Sequence, residues 1–170
     1  MNPKPKADDL IRALNLAPHP EGGFFAETYR AEGRLAAASL PPVFGGDRAY
    51  STAILYLLPE GRKSALHRIR QDEVWHFYLG GPLRLVMISP AGEASEVIVG
   101  PDVLSGQRLQ FTVPAGYWFG AAPRPGSVYS LAGCTVAPGF DFADFEMADG
   151  AALKKAFPAL TGLISEFSSK

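Results

Sequence analysis

Clusters of proline and glycine punctuate the middle of the chain at Pro59-Glu60-Gly61, Gly80-Gly81-Pro82, Pro90-Ala91-Gly92, Gly100-Pro101, Pro114-Ala115-Gly116 and Pro123-Arg124-Pro125-Gly126. No other feature limits the fold as much. Proline removes a backbone donor and glycine weakens any regular element it enters, so each cluster closes one element and opens the next. What lies between leans to β. In residues 24–30, Phe25, Glu27 and Tyr29 fall on one face and Phe24, Ala26, Thr28 and Arg30 on the other. Residues 50–58, 65–69, 73–79, 83–88, 94–99, 108–113, 117–121 and 127–136 read as further strands. Many short strands at close spacing indicate an all-β, antiparallel sandwich or barrel, and a jelly roll of roughly eight or more strands fits.

Helices are expected only at the ends. Leu10, Ile11 and Leu14 recur at helical spacing within 8–16, with Asp8 or Asp9 able to cap the start. Asp149 can cap a short helix through Lys155; Phe157-Pro158 interrupts it, and 160–167 forms a final turn or helix. His19-Pro20-Glu21-Gly22-Gly23 reads as a loop and 31–47 as an irregular connection. A length of 170 residues favours a single domain, with its core at about 19–147 and terminal helices at about 8–16 and 149–167.

Composition removes several classes of function. Hydrophobic residues at 47% against 19% charged exclude a disordered chain. Sixteen Lys and Arg balance 17 Asp and Glu, without the basic stripe of a nucleic-acid binder. No apolar stretch reaches the roughly 20 residues that span a bilayer. The start, Met1-Asn2-Pro3-Lys4-Pro5-Lys6, followed by Asp8 and Asp9, has no apolar signal region. The single cysteine, Cys134, excludes an internal disulfide and a cysteine-based zinc cluster, and reads as an inert buried thiol. A cytoplasmic protein that binds neither nucleic acid nor membrane is expected.

Chemistry concentrates between Gly61 and Gly80. This stretch holds His67 and His76, two of only three histidines, together with Glu73 and Trp75. Ala65, His67 and Ile69 share one strand face. In a regular strand from Glu73, Trp75 and Phe77 share the glutamate's face, while Val74, His76 and Tyr78 take the other. His76 is therefore expected outside the cavity, at a hydrogen bond or a subunit contact, unless a bulge reverses the parity. An inward glutamate calls for water, a cation or a histidine partner.

The stretch resembles the first cupin motif: glycine, five residues, His-x-His, three or four residues, Glu, six residues, Gly. Gly61, His67, Glu73 and Gly80 meet each spacing, with Ile69 where the second histidine would stand. Pro114-Ala115-Gly116-Tyr117-Trp118-Phe119 keeps the turn of the second motif, Pro-x-Gly-x-x-His, with Phe119 in place of its histidine. His19-Pro20-Glu21-Gly22-Gly23-Phe24, Glu27-Thr28-Tyr29-Arg30, Asp72-Glu73-Val74-Trp75-His76-Phe77-Tyr78 and Pro138-Gly139-Phe140-Asp141-Phe142 resemble one cupin family of largely unknown function. The resemblance implies an RmlC-like jelly-roll barrel (a double-stranded β-helix), often dimeric.

In a metal-bearing cupin, both His-x-His histidines, the glutamate and the later histidine ligate one divalent ion. Ile69 and Phe119 cannot ligate, so no cofactor is expected beyond a weakly held divalent metal; any such ion would sit on His67, Glu73 and His76. The site expected instead is a pocket. His67 and Glu73 are its polar, hypothetically catalytic pair. Trp75, Phe77, Tyr117, Trp118 and Phe119 are mostly core aromatics; those facing inward, with Ile69 beside them, are expected to line a space for a small, flat or sugar-like ligand. Three functions follow: metal-free small-molecule binding; a metal-free sugar epimerase or isomerase with His67 as base, Glu73 orienting it and a tyrosine as acid; or a metal-dependent isomerase or dioxygenase with a reduced ligand set. A homodimer is expected, with 24–30 extending a neighbour's sheet.

Overall fold

The computed structural model describes residues 5–169; residues 1–4, part of the segment read as lacking a signal region, lie outside the described residues, as does residue 170. Thirteen strands follow in chain order: β1 Ala17–Pro18, β2 Phe24–Arg30, β3 Arg34–Leu35, β4 Arg48–Ala49, β5 Thr52–Pro59, β6 Ser64–Arg68, β7 Glu73–Gly80, β8 Leu83–Ile88, β9 Ala94–Val99, β10 Gln110–Val113, β11 Trp118–Pro123, β12 Tyr129–Val136 and β13 Glu146–Met147. Helix α1 spans Ala7–Ala13, α2 Gly150–Ala156 and α3 Thr161–Phe167. Among the described residues no helix is long and apolar enough to cross a membrane.

Two antiparallel sheets face each other. One has the order β1-β2-β5-β12-β7-β10, the other β13-β6-β11-β8-β9, and β3 and β4 form a small separate ladder. The interleaved order is that of an antiparallel jelly-roll barrel. Tyr56, Leu58, Trp75, Leu85, Met87, Phe119, Ala132 and Cys134 fill the space between the sheets.

Strands 52–59 and 83–88 are apolar on both faces because both faces are covered. On the outside of the larger sheet, Leu10 and Ile11 of α1 and Leu14 just after it pack on Leu57, Tyr129 and Leu131. On the outside of the smaller sheet, Ile164 and Phe167 of α3 and Leu153 of α2 cover Leu66, Val86, Ile88 and Trp118. Ile164 and Phe167 are fully buried, and burial of such side chains contributes about 1.5–3 kcal/mol each. Asp149 caps α2 by accepting from the Ala151 and Ala152 amides.

Two details differ from the sequence reading. Helix α1 stops at Ala13, short of residue 16, and Asn15 then takes the left-handed conformation at φ 53°. A bulge between Glu27 and Tyr29 in the β2–β5 pairing breaks the expected alternation, so Glu27 and Arg30 both face the barrel interior while Tyr29 turns outward. Strand β2 pairs along one edge with β5 of its own chain, and β1 pairs with its other edge at Phe24 and Phe25.

Candidate functional site

One end of the barrel encloses a cavity of about 250 Å³. His67 reaches it from β6, only 2% exposed. Its Nδ1 lies 2.8 Å from the Ala65 carbonyl oxygen. A carbonyl only accepts, so Nδ1 carries a proton. Its Nε2 lies 3.0 Å from Glu21 Oε2, a contact that needs a second proton between them. The pair therefore holds one shared proton and is net neutral. Ser64 Oγ donates to the other Glu21 oxygen at 2.9 Å.

Glu21 arrives on the turn after β1. The Ala65 amide donates to the Glu21 carbonyl at 2.8 Å, and the Tyr56 hydroxyl donates to the Gly22 carbonyl at 2.7 Å. The turn can press this close because Gly22 and Gly23 adopt φ 115° and 68°, and a Cβ on Gly22 would collide with the Lys63 carbonyl. His19 completes the turn. His19 Nδ1 lies 3.3 Å from both the Glu21 amide and Glu21 Oε2. Burial holds the His19 pKa below its ordinary value; the Glu21 charge pulls it up in part, and the nearby His67 lowers it again.

Glu73 lines the same cavity from the start of β7, 8% exposed. Burial, and then the negative charge of Glu21, push its pKa from 4.5 to about 8; the Cys134 thiol beside it offsets this in part. Burial and the Glu73 charge push the Cys134 thiol up in turn, so it stays protonated. The carboxyl therefore has only a weak donor for company.

Of the residues expected to line the pocket, Ile69 does so. Phe119 sits behind His67 with ring centroids 4.1 Å apart, and Trp75 is buried edge-on to Tyr56 and Phe119, so both back the site from the core. Phe77 packs against that core farther along β7. Trp118, one position from Phe119, faces the opposite side of its sheet, where it packs with the terminal helices under the Arg68 guanidinium at 4.3 Å. His76 also points away from the cavity, between Thr135 Oγ1 at 3.0 Å and Gln110 Nε2 at 2.8 Å.

The aromatic wall is built by other residues. Phe25 comes from β2, and Phe140, Phe142 and Phe145 come from the segment after β12, which folds over the cavity. That segment is latched at Asp144, a buried carboxylate receiving Arg48 Nε at 2.7 Å, Arg48 Nη2 at 2.6 Å and Gln71 Nε2 at 2.7 Å. At the mouth, Arg30 donates to Glu27 at 2.8 and 2.6 Å and to the Phe140 carbonyl at 3.2 Å.

Sequence reasoning missed His19, Glu21, Tyr56 and the three phenylalanines. The signal was present. The four phrases that suggested a family all end in one cavity: His19 and Glu21 from the first, Glu27 and Arg30 from the second, Glu73 from the third, Phe140, Asp141 and Phe142 from the last.

These side chains do not fit a divalent metal. Among the described residues no three His, Cys, Asp or Glu groups converge as ligands. Both His67 nitrogens are engaged by Ala65 and Glu21, and Ile69 offers no donor.

Comparison with known proteins agrees with this architecture. Protein SO0799 from Shewanella oneidensis superposes with a TM-score of 0.85 at 38% identity, over 97% of this chain and 98% of that one. A hypothetical protein from Leishmania major gives 0.87 at 33%, over 98% and 100%. The uncharacterized protein YML079W of Saccharomyces cerevisiae is 30% identical over 87% of this chain and 78% of its own length. Oxalate decarboxylase from Bacillus subtilis shares only the fold, with a TM-score of 0.53 at 13% identity over 90% of this chain and 37% of that one. Residues 8–148 match the family described as the cupin superfamily (DUF985), and to that family the chain belongs.

Proposed function

We propose that the barrel binds a small molecule in the cavity between Glu73 and the rings of Phe25, Phe140, Phe142 and Phe145. The observation that carries this reading is Glu73 itself. A carboxyl buried without a strong partner costs free energy, and a bound molecule would supply the missing hydrogen bond. Apolar walls with a few placed polar groups suit a compact ligand. The test is a small-molecule screen by thermal shift and native mass spectrometry, repeated on Ile54→Phe, which fills the cavity from β5. Hits that lose binding in the filled variant support the reading; hits that bind both forms alike overturn it.

A second reading is a metal-free isomerase of carbohydrate-like substrates, favoured by a pKa of about 8 at Glu73, which makes the ionised fraction of this carboxyl a stronger base than an ordinary carboxylate. In this reading the base is Glu73 rather than His67, whose nitrogens are both occupied, and His67 positions Glu21. Exchange of a ketosugar's α-proton in heavy water should then be lost in Glu73→Gln. Unchanged exchange in that variant would end this reading.

A further inference from the structure

The charges facing Glu73 can be counted one by one. Inside the cavity these are Glu21, His67, His19, Tyr56 and Cys134; at the mouth they are Glu27, Arg30 and Asp141. The Glu21–His67 pair is net neutral with its shared proton. His19 is held neutral by burial, and burial also pushes the Tyr56 hydroxyl and the Cys134 thiol up. Arg30 is matched by Glu27. What remains is acidic: Glu73 at the wall and Asp141 at the rim. Among the described residues that line the cavity, an anionic ligand would find no free cation.

The rings have a particular arrangement. Phe140 and Phe142 cross at 80°, Phe140 and Phe145 at 74°, and Phe142 and Phe145 at 75°, with centroids 5.0, 6.3 and 5.9 Å apart. These rings pack edge to face, and Phe142 and Phe145 also meet the His19 and His67 rings at 6.0 and 5.3 Å. With Phe25 they give the cavity a phenyl wall beside a carboxyl. Aromatic faces are electron-rich and attract alkylated ammonium groups. Resting on the reading of this cavity as a ligand site, we propose that it takes a small organic cation, with its alkylated ammonium against the phenyl wall of Phe25, Phe140, Phe142 and Phe145 and its charge paired with Glu73.

The pairing has a consequence for pH. Glu73 keeps its proton to about pH 8, while a cation needs the carboxylate. Binding therefore releases one proton, and affinity rises about tenfold per pH unit until about pH 8, then levels.

The test uses the full chain and two probes of nearly equal shape: choline and its uncharged isostere 3,3-dimethylbutan-1-ol. Calorimetry at pH 6.5, 7.5 and 9 should find choline at least tenfold tighter than the alcohol at pH 9. Choline should gain roughly tenfold between pH 6.5 and 7.5 and release close to one proton, read from buffers of different ionisation heat. In Glu73→Gln, checked for folding by circular dichroism, choline affinity should lose its pH dependence. Equal affinity for the two probes, a pH-independent choline affinity in the natural chain, or no choline binding at pH 9 overturns the cation assignment. The cavity reading is judged separately by the screen on Ile54→Phe.

Discussion

Glu73 keeps its proton to about pH 8 because burial and the neighbouring Glu21 charge both oppose its ionisation. The same shift acts on stability. Below pH 4.5 the carboxyl is protonated in both folded and unfolded chains and carries no penalty. As pH rises the unfolded chain ionises first, so folding loses free energy until the folded group also ionises near pH 8. Relative to Glu73→Gln, the natural chain should lose on the order of 4 kcal/mol between pH 4.5 and 8 and change little above, as urea titrations at each pH will show. At this scale the sequence was half legible. The motif spacing put His67 and Glu73 on inward strand positions, and both line the cavity. It could not say that the partner of His67 is Glu21 rather than Glu73. That pairing depends on a turn more than 40 residues away pressing against β6, and local turn signals carry a shape, not a destination.

The element that closes the cavity is the segment from Pro138 to Phe145, held chiefly by Asp144. Arg48, 4% exposed, has this carboxylate as its charge partner. Replacing one member of a buried pair strands the other, so Asp144→Asn should cost about 3–5 kcal/mol in urea denaturation. The amides around Phe140 and Ala143 should then exchange faster than those of β5. Arg48→Met combined with Asp144→Leu should recover much of that loss, because no charge is left buried. Strands were the legible elements: 24–30, 83–88 and 94–99 were placed to the residue, the other long strands shifted by one or two positions at their ends, and only the two-residue strands β1, β3, β4 and β13 went unread. The segment over the cavity was not legible as a wall, since Pro138, Gly139 and Asp141 announce only an irregular backbone.

At the scale of the whole molecule, the antiparallel jelly roll followed from punctuation and periodicity, while the assignment of each face depended on what packs outside it. The same logic bears on assembly. Tyr29 and Tyr78 stay about half exposed, and both point outward from the larger sheet. We propose a homodimer through this face, to which β2 contributes Tyr29. Light scattering should give roughly twice 18.2 kDa, and Tyr78→Glu should return it to the single-chain mass. The clasp between His67 and Glu21 has a consequence for anyone wishing to rebuild a metalloprotein on this barrel. Histidines installed by Ile69→His and Phe119→His would surround an imidazole whose lone pair is already directed at a proton. Cobalt absorption should therefore stay weak in that double variant and develop only when Glu21→Ala is added: Glu21 is as much an obstacle to a metal centre as the apolar side chains of Ile69 and Phe119.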